Sequence, residues 1–276
     1  MTTHVMEEEE INQQYVLPVR AFSTEEDLTK STVLRYLTLE KFQSLLELQA
    51  VWFSRLGALQ DEFEGTIPNG ARAKLLALSK DPEAEKRLGS HLLTHMLNVA
   101  SNGSSAPARI GVIVTCWFLG HNESEKMWRE YGQGGKGVAI RSTVNRLCGS
   151  FHITGDYVKI SAVGRVQYVN FEAHQMDFRD ANHVNRVALI KDKSFEHEQE
   201  VRVLTTNSIH SGCLNPSGDI IFNPNRSGLY IKCALQNLLQ AVVVGPNAQS
   251  DLIEQLITKH RLSFEIEKSQ LSPFQS

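Results

Sequence analysis

The chain has 276 residues, of which 41% are hydrophobic and 21% charged, a balance that suits a folded chain of one or two domains. A collagen-like, coiled-coil or largely disordered protein is excluded by that composition. With 28 Lys and Arg against 31 Asp and Glu, the formal charge of −3 gives no whole-chain positive field for nucleic acid, only room for a local basic groove.

No apolar run approaches the ~20 residues of a membrane helix. The N-terminus runs into Glu7 to Glu10 where a secretion signal would need a basic and then an apolar stretch. A cytoplasmic protein with no membrane contact is expected. Cys116, Cys148, Cys213 and Cys233 fit neither a disulfide framework nor a zinc pattern, so reduced thiols and no disulfide are expected.

Residues 1–30 are acidic and weakly periodic and read as a loosely ordered arm before one compact unit over 31–276. Within that unit, 33–37 reads as a strand. A helix is predicted over 39–48 from the spacing of Leu39, Phe42, Leu45 and Leu46, and a second strand over 51–54. Residues 71–101 form a predicted helical insertion. It should break at Asp81-Pro82, because Asp caps a helix and Pro pre-sets its first turn. Residues 102–107 are a loop by composition, followed by a strand over 110–118.

A short helix over 123–131 should carry Met127, Trp128 and Tyr131 on one face, before a strand over 137–140 and a helix over 143–147. Strands are then predicted at 157–169, 200–204, 219–222, 230–233, 241–244 and 264–268, with helices at 181–190 and 250–259. The order is α+β, without the regular alternation of a doubly wound sheet.

Gly132-Gln-Gly-Gly-Lys-Gly137 spells G-x-G-x-x-G, but it follows a helix and precedes a strand. A dinucleotide loop needs the reverse, so that helix amides meet the pyrophosphate. His91 and His95 stand four apart on a predicted helix without the Glu that follows the first His of a zinc hydrolase. Both are read as surface-helix histidines.

Glu198, Glu200 and Arg202 alternate into a strand, and period two puts them on one face. Like charges so placed need a cation, a ligand or Arg202 to balance them; otherwise the strand is a solvated edge. The tryptophans fall in aromatic pairs, Trp52-Phe53, Trp117-Phe118 and Trp128 with Tyr131, and a ligand ring could stack on at least one of them.

Several motifs in order give a resemblance: Leu34-Arg-Tyr-Leu-Thr-Leu-Glu-Lys-Phe42, Val51-Trp-Phe-Ser54, Asp61-Glu-Phe-Glu-Gly65, Met127-Trp-Arg-Glu-Tyr-Gly132, Gly137-Val-Ala-Ile140 and Glu198-Gln-Glu-Val-Arg202. From about residue 32 onward the chain resembles the bacterial family catalogued as domain of unknown function 2971. That family usually reads Asn-Asp-Pro-Phe-Glu where this chain has Gln60-Asp-Glu-Phe-Glu64.

More distantly, the chain is similar to ADP-ribosyltransferases. That similarity implies a split, mostly antiparallel sheet core and NAD as a substrate. It places Arg35, Glu198 and Glu200 in catalysis, with Glu200 as the acid opposite the nicotinamide ribose. It sets Tyr36, with Ser54 or Tyr131, around the nucleotide; Trp52 and Trp128 are added as candidate nucleotide contacts from the aromatic pairs, and Arg202 from the charge pattern. The resemblance further implies an acceptor that is protein, nucleic acid or water, a role as a toxin or in phage defence, and no metal. Two alternatives remain open: a non-catalytic nucleotide- or partner-binding module, and a metal-dependent nuclease using Asp61, Glu62, Glu64, Glu198 and Glu200 as oxygen ligands.

Overall fold

The computed structural model describes residues 28–101, 106–151, 160–176, 186–206 and 227–275. The expected N-terminal arm up to residue 27, the strand at 219–222, Cys213 and residues 181–185 of the helix expected at 181–190 lie outside these residues; of the rest of that helix, only 186–187 are helical, and Ile190 already begins a strand.

The first unit forms as its pattern dictates. Strand β1 (Thr32–Leu37) leads into helix α1 (Leu39–Leu48), whose start is capped by Thr38 Oγ1 accepting from Lys41 N at 3.3 Å. Phe42, Leu45 and Leu46 bury one face of that helix, and Gln49 ends it in a left-handed conformation before β2 (Ala50–Arg55). The helical insertion follows as α2 (Asn69–Ala77), α3 (Ala84–Leu88) and α4 (Ser90–Ser101). It breaks around Asp81 and again at Gly89, where φ is +79°.

One boundary differs from the expectation. Helix α5 (Ala106–Gly111) occupies part of the predicted loop, and β3 starts at Val112 and runs to Leu119. The reason lies in Ala106-Pro107-Ala108: alanine favours helix and proline is tolerated in a first turn.

Helix α6 (Glu125–Glu130) is capped by Ser124, and β4 (Val138–Thr143) and α7 (Val144–Ser150) follow. The expected strand at 157–169 is two strands where described, β5 (Ile160–Arg165) and β6 (Gln167–Val169). Strand β7 (Ile190–Asp192) pairs in parallel with β6 in a separate small sheet. The remaining elements are β8 (Glu200–Thr206), β9 (Gly228–Lys232), α8 (Leu235–Leu238), β10 (Ala241–Val244), α9 (Ser250–Lys259) and β11 (Glu265–Lys268).

Nine strands make one open, mostly antiparallel sheet, ordered β11-β10-β4-β1-β3-β2-β9, with β8 on the other edge of β3 and β5 beyond it. Among the described strands, only β10 and β11 run parallel in it. Helices α1, α7 and α9 cover one face through a core that includes Phe42, Leu147, Ile253 and Trp117. On the other face, the helical insertion packs around Leu75 and Val114, and α6 packs through Met127 and Trp128. Among the described residues, no helix is long and apolar enough to cross a membrane.

Candidate functional site

Among the described residues, strand β3 leaves part of one edge unpaired, and the site opens there. Strand β8 takes one of its edges over Val112 to Phe118, so β1 and β2 must share the other. Strand β1 pairs there only at Phe118 and Leu119, and β2 only at Val114 and Ile113. Between those contacts β1 and β2 diverge, and the sheet forks beside Thr115, Cys116 and Trp117. A cavity of about 540 Å³ occupies the fork, within the ~300–1,000 Å³ usual for small-molecule sites.

Arg35 stands in the fork. Its Nη1 donates to Thr115 Oγ1 at 2.6 Å and its Nη2 to the Trp52 carbonyl at 3.1 Å, so one side chain bridges all three strands. The guanidinium also lies 5.6 Å from the centre of the Trp117 ring. Among the described residues it has no carboxylate partner, and burial pushes its pKa down to about 10. Trp52 and Tyr230 meet edge to face at 4.9 Å along the cavity wall, and Trp52 Nε1 donates to Ser54 Oγ at 3.0 Å.

The opposite wall is an ionic cluster. Pairing of Glu200 with Phe118 and of Arg202 with Cys116 puts these side chains on one face of the sheet. Arg202 is fully buried: its Nε donates to Glu200, its Nη2 to Glu64 and Glu200, and its Nη1 to Glu64 and the Ala188 carbonyl. Every N–H of the guanidinium has a partner.

Lys191, from the small sheet, points its ammonium at Glu200 at 2.8 Å, at Glu64 at 3.4 Å, and at Glu198. It also lies 4.5 Å from the centre of the Phe195 ring. Tyr131 donates its hydroxyl to Glu198 Oε1 at 2.6 Å.

Their environments push the two glutamates apart. Burial and the Glu200 charge raise the Glu198 carboxyl from 4.5 to about 7, with Lys191 partly opposing. Burial acts the same way on Glu200, but Arg202 and Lys191 outweigh it and hold that carboxyl well below its ordinary value. Cys116 lines the same cavity, and burial together with Glu200 keeps its thiol protonated. Two buried polar atoms of the wall, Asp61 Oδ2 and Trp117 Nε1, have no hydrogen-bond partner among the described residues.

The sequence-predicted residues divide accordingly. Arg35, Trp52, Ser54, Tyr131, Glu198 and Glu200 all line the cavity. Glu198 does so from a different position than expected: it ends a 3₁₀ turn, Lys193–Glu198, and Gln199 turns the chain with φ 40° before the strand begins at Glu200. The solvated-edge alternative fails, because β8 lies between β3 and β5 and Glu200 is buried.

Arg202 borders the cavity, yet with its donors saturated it has none left for a nucleotide. Tyr36 also lines the cavity, although it is largely buried and its hydroxyl accepts from Ser124 N at 2.8 Å. Trp128 is a core residue and does not line the cavity. Its Nε1 donates to Glu123 at 2.8 Å and its ring packs on Tyr36 at 4.9 Å. Gly132 allows this packing, since a Cβ there would lie 2.3 Å from the Trp128 ring.

The turn Asp61 to Glu64, whose role the sequence left open, supplies the counter-ion of Arg202. Sequence reasoning missed Lys191; the only signal for it was that paired glutamates needed a cation.

Of the five acids considered as oxygen ligands for a metal, three are already engaged by cations. Glu198, Glu200 and Glu64 direct their oxygens at Lys191 and Arg202, and Glu62 is exposed. Glu130, His197 and Glu198 bring potential ligand atoms within 4.8 Å of one another. In that group, Glu198 is already bonded to Tyr131 and Lys191, and His197 Nε2 lies 3.2 Å from Glu130. The three free cysteines among the described residues, Cys116, Cys148 and Cys233, form no disulfide. The Gly132 to Gly137 loop folds on itself, with Gly135 N bonded to the Trp128 carbonyl and Gly137 N to that of Gly132.

No curated protein and no solved structure matches the chain. Residues 127–203, the stretch that contributes Tyr131, Lys191, Glu198, Glu200 and Arg202 to this cavity, match the family model described as protein of unknown function (DUF2971).

Proposed function

We propose that the fork cavity binds NAD or a related nucleotide and that the protein is an ADP-ribosyltransferase-like enzyme acting on the glycosidic bond to nicotinamide. The observation that carries this reading is the placement, around one cavity, of a guanidinium without a carboxylate partner and a carboxyl whose pKa lies near neutrality. Arg35 suits a diphosphate, since its planar fork retains N–H groups beyond those given to Thr115 and Trp52. Trp52 and Tyr230 offer rings on which a base can stack.

Glu198 is the proton-transferring group. A carboxylate near pH 7 can take the proton from an attacking hydroxyl as the new bond to the ribose carbon forms, and then release it to solvent, while nicotinamide leaves neutral with the glycosidic electron pair; Glu200 is held ionised by two cations that compensate its charge. The catalytic role that resemblance gives Glu200 therefore passes to Glu198, and Glu200 fixes Lys191 and Arg202 in place. An acceptor on protein or nucleic acid would suit a toxin or a phage-defence protein; water as acceptor would make the protein an NAD glycohydrolase.

The test is nicotinamide release from NAD by purified wild type, Glu198→Gln and Glu200→Gln. Glu198→Gln should keep the fold and lower turnover about 100-fold or more. No turnover by wild type combined with measurable nucleotide binding would favour the non-catalytic binding module. That second reading draws on the compensation of Glu200 by Arg202 and Lys191.

A further inference from the structure

We propose that the segment Ser269 to Phe274 is a positioning strap: it fixes helix α6 on the sheet and thereby holds the Tyr131 hydroxyl on Glu198. The catalytic consequence rests on the reading of Glu198 as the proton-transferring group, whereas the strap itself rests on contacts alone.

Helix α6 has six residues, and helices shorter than ~12 residues are marginal on their own in water. It ends on Tyr131, so the placement of α6 sets the hydrogen bond from that residue to Glu198. Two anchors come from the segment after β11. Glu123, just before the helix, accepts from Trp128 Nε1 on Oε2 at 2.8 Å; the same oxygen accepts from Ser269 Oγ at 2.5 Å, and Oε1 accepts from Gln270 N at 2.8 Å. Asn247 grips Phe274 from both sides, its Oδ1 accepting from Phe274 N at 2.8 Å and its Nδ2 donating to the Phe274 carbonyl at 3.1 Å.

The Gly132 to Gly137 loop is the seat of the strap. The Phe274 ring lies 4.7 Å from the Arg129 guanidinium and against Gly135, where a Cβ would come within 3.0 Å of it. Gly135 has φ +81°; its N donates to the Trp128 carbonyl at 3.2 Å, and its carbonyl accepts from Asn247 N at 2.9 Å. Tyr131, Leu271 and Phe274 all pack against the buried cluster of Tyr36, Phe118, Met127 and Trp128. None of these contacts is a strand pairing, so loosening the segment frees α6 while the sheet stays intact.

Glu198 is faced by Lys191 from β7, Glu200 from β8, His197 from its own turn, and Glu130 and Tyr131 from α6 and its end. Glu130 is exposed, and solvent screens its charge. Tyr131 bonds Glu198 directly and favours the carboxylate, so it is the group through which the strap acts.

The test is a double-mutant cycle read by carbon-13 NMR titration of the Glu198 carboxyl. Phe274→Ala should raise that pKa by about half a unit to one unit, because the Tyr131 donor is no longer held in place. In a Tyr131→Phe background the same change should add nothing. No shift in the first background, or an equal shift in both, would overturn the proposal. Asn247→Ala, which releases the Phe274 backbone and leaves the ring intact, should repeat both results. If neither single variant folds, the segment is core and not a strap, and the proposal fails. With NAD as substrate, the acid limb of nicotinamide release should move to higher pH by the same amount in Phe274→Ala. If wild type releases no nicotinamide, the enzymatic reading fails, while the titration still decides for the strap.

Discussion

Arg202 and Glu64 lie 138 residues apart in sequence and meet through two hydrogen bonds of 2.8 and 2.7 Å with both side chains fully buried. The pair ties the turn after β2 to the centre of β8, and it anchors the cluster into which Lys191, Glu198 and Glu200 converge. Removing one partner of such a pair leaves the other charged, buried and short of bonds. Glu64→Gln should therefore destabilise the protein by about 3–5 kcal/mol, read from urea unfolding. A loss under about 1 kcal/mol would mean that the cluster relaxes freely and does not fix the site.

The pH dependence of stability should carry the mark of Glu198. Its folded value near 7 against an ordinary 4.5 means that, across that interval, the folded state holds a proton the unfolded chain has released. Stability then falls as pH rises from 4.5 to 7, by at most about 1.4 kcal/mol per unit. Glu200, held below its ordinary value, acts in the opposite sense: its contribution is present above 4.5 and lost as pH falls through its folded value. Urea midpoints across this range should show the decline in wild type and a flatter profile in Glu198→Gln. Identical profiles for the two proteins would exclude the assignment.

Arg35 should decide anion binding while contributing little to the fold. Its bonds to Thr115 and Trp52 are offset by the cost of burying the charge, so Arg35→Gln should change stability by about 1 kcal/mol or less. The same change should weaken ADP-ribose binding by roughly 100-fold, since a diphosphate would lose its charge-assisted contacts. Equal affinity in calorimetry would place the anion site elsewhere.

Tyr131 should tune Glu198. Its hydroxyl donates to the carboxylate at 2.6 Å and so favours the charged form. Tyr131→Phe should therefore raise the Glu198 pKa further, by about one unit, in a carbon-13 NMR titration of the glutamate carboxyls. A downward shift would show that Tyr131 acts on Glu198 through burial instead.

Local pattern determined most of the elements. The spacing of Phe42, Leu45 and Leu46 marks a helix, Ala241 to Val244 marks a buried strand, and the alternation of Glu200 with Arg202 marks a common face, because these periods are properties of the backbone itself. The demand for a cation beside paired glutamates was equally legible, because it follows from charge alone. What the sequence could not decide was which cation answers it, or where the ligand space opens. Lys191 reaches Glu198 and Glu200 only because β7 leaves the main sheet to pair with β6. The fork exists only because β1 and β2 share one edge of β3 and part between their contacts. Trp128 and Trp52 look alike in sequence, yet one is core and the other cavity wall, since burial depends on which elements fold over a side chain, and that is decided by contacts between distant segments.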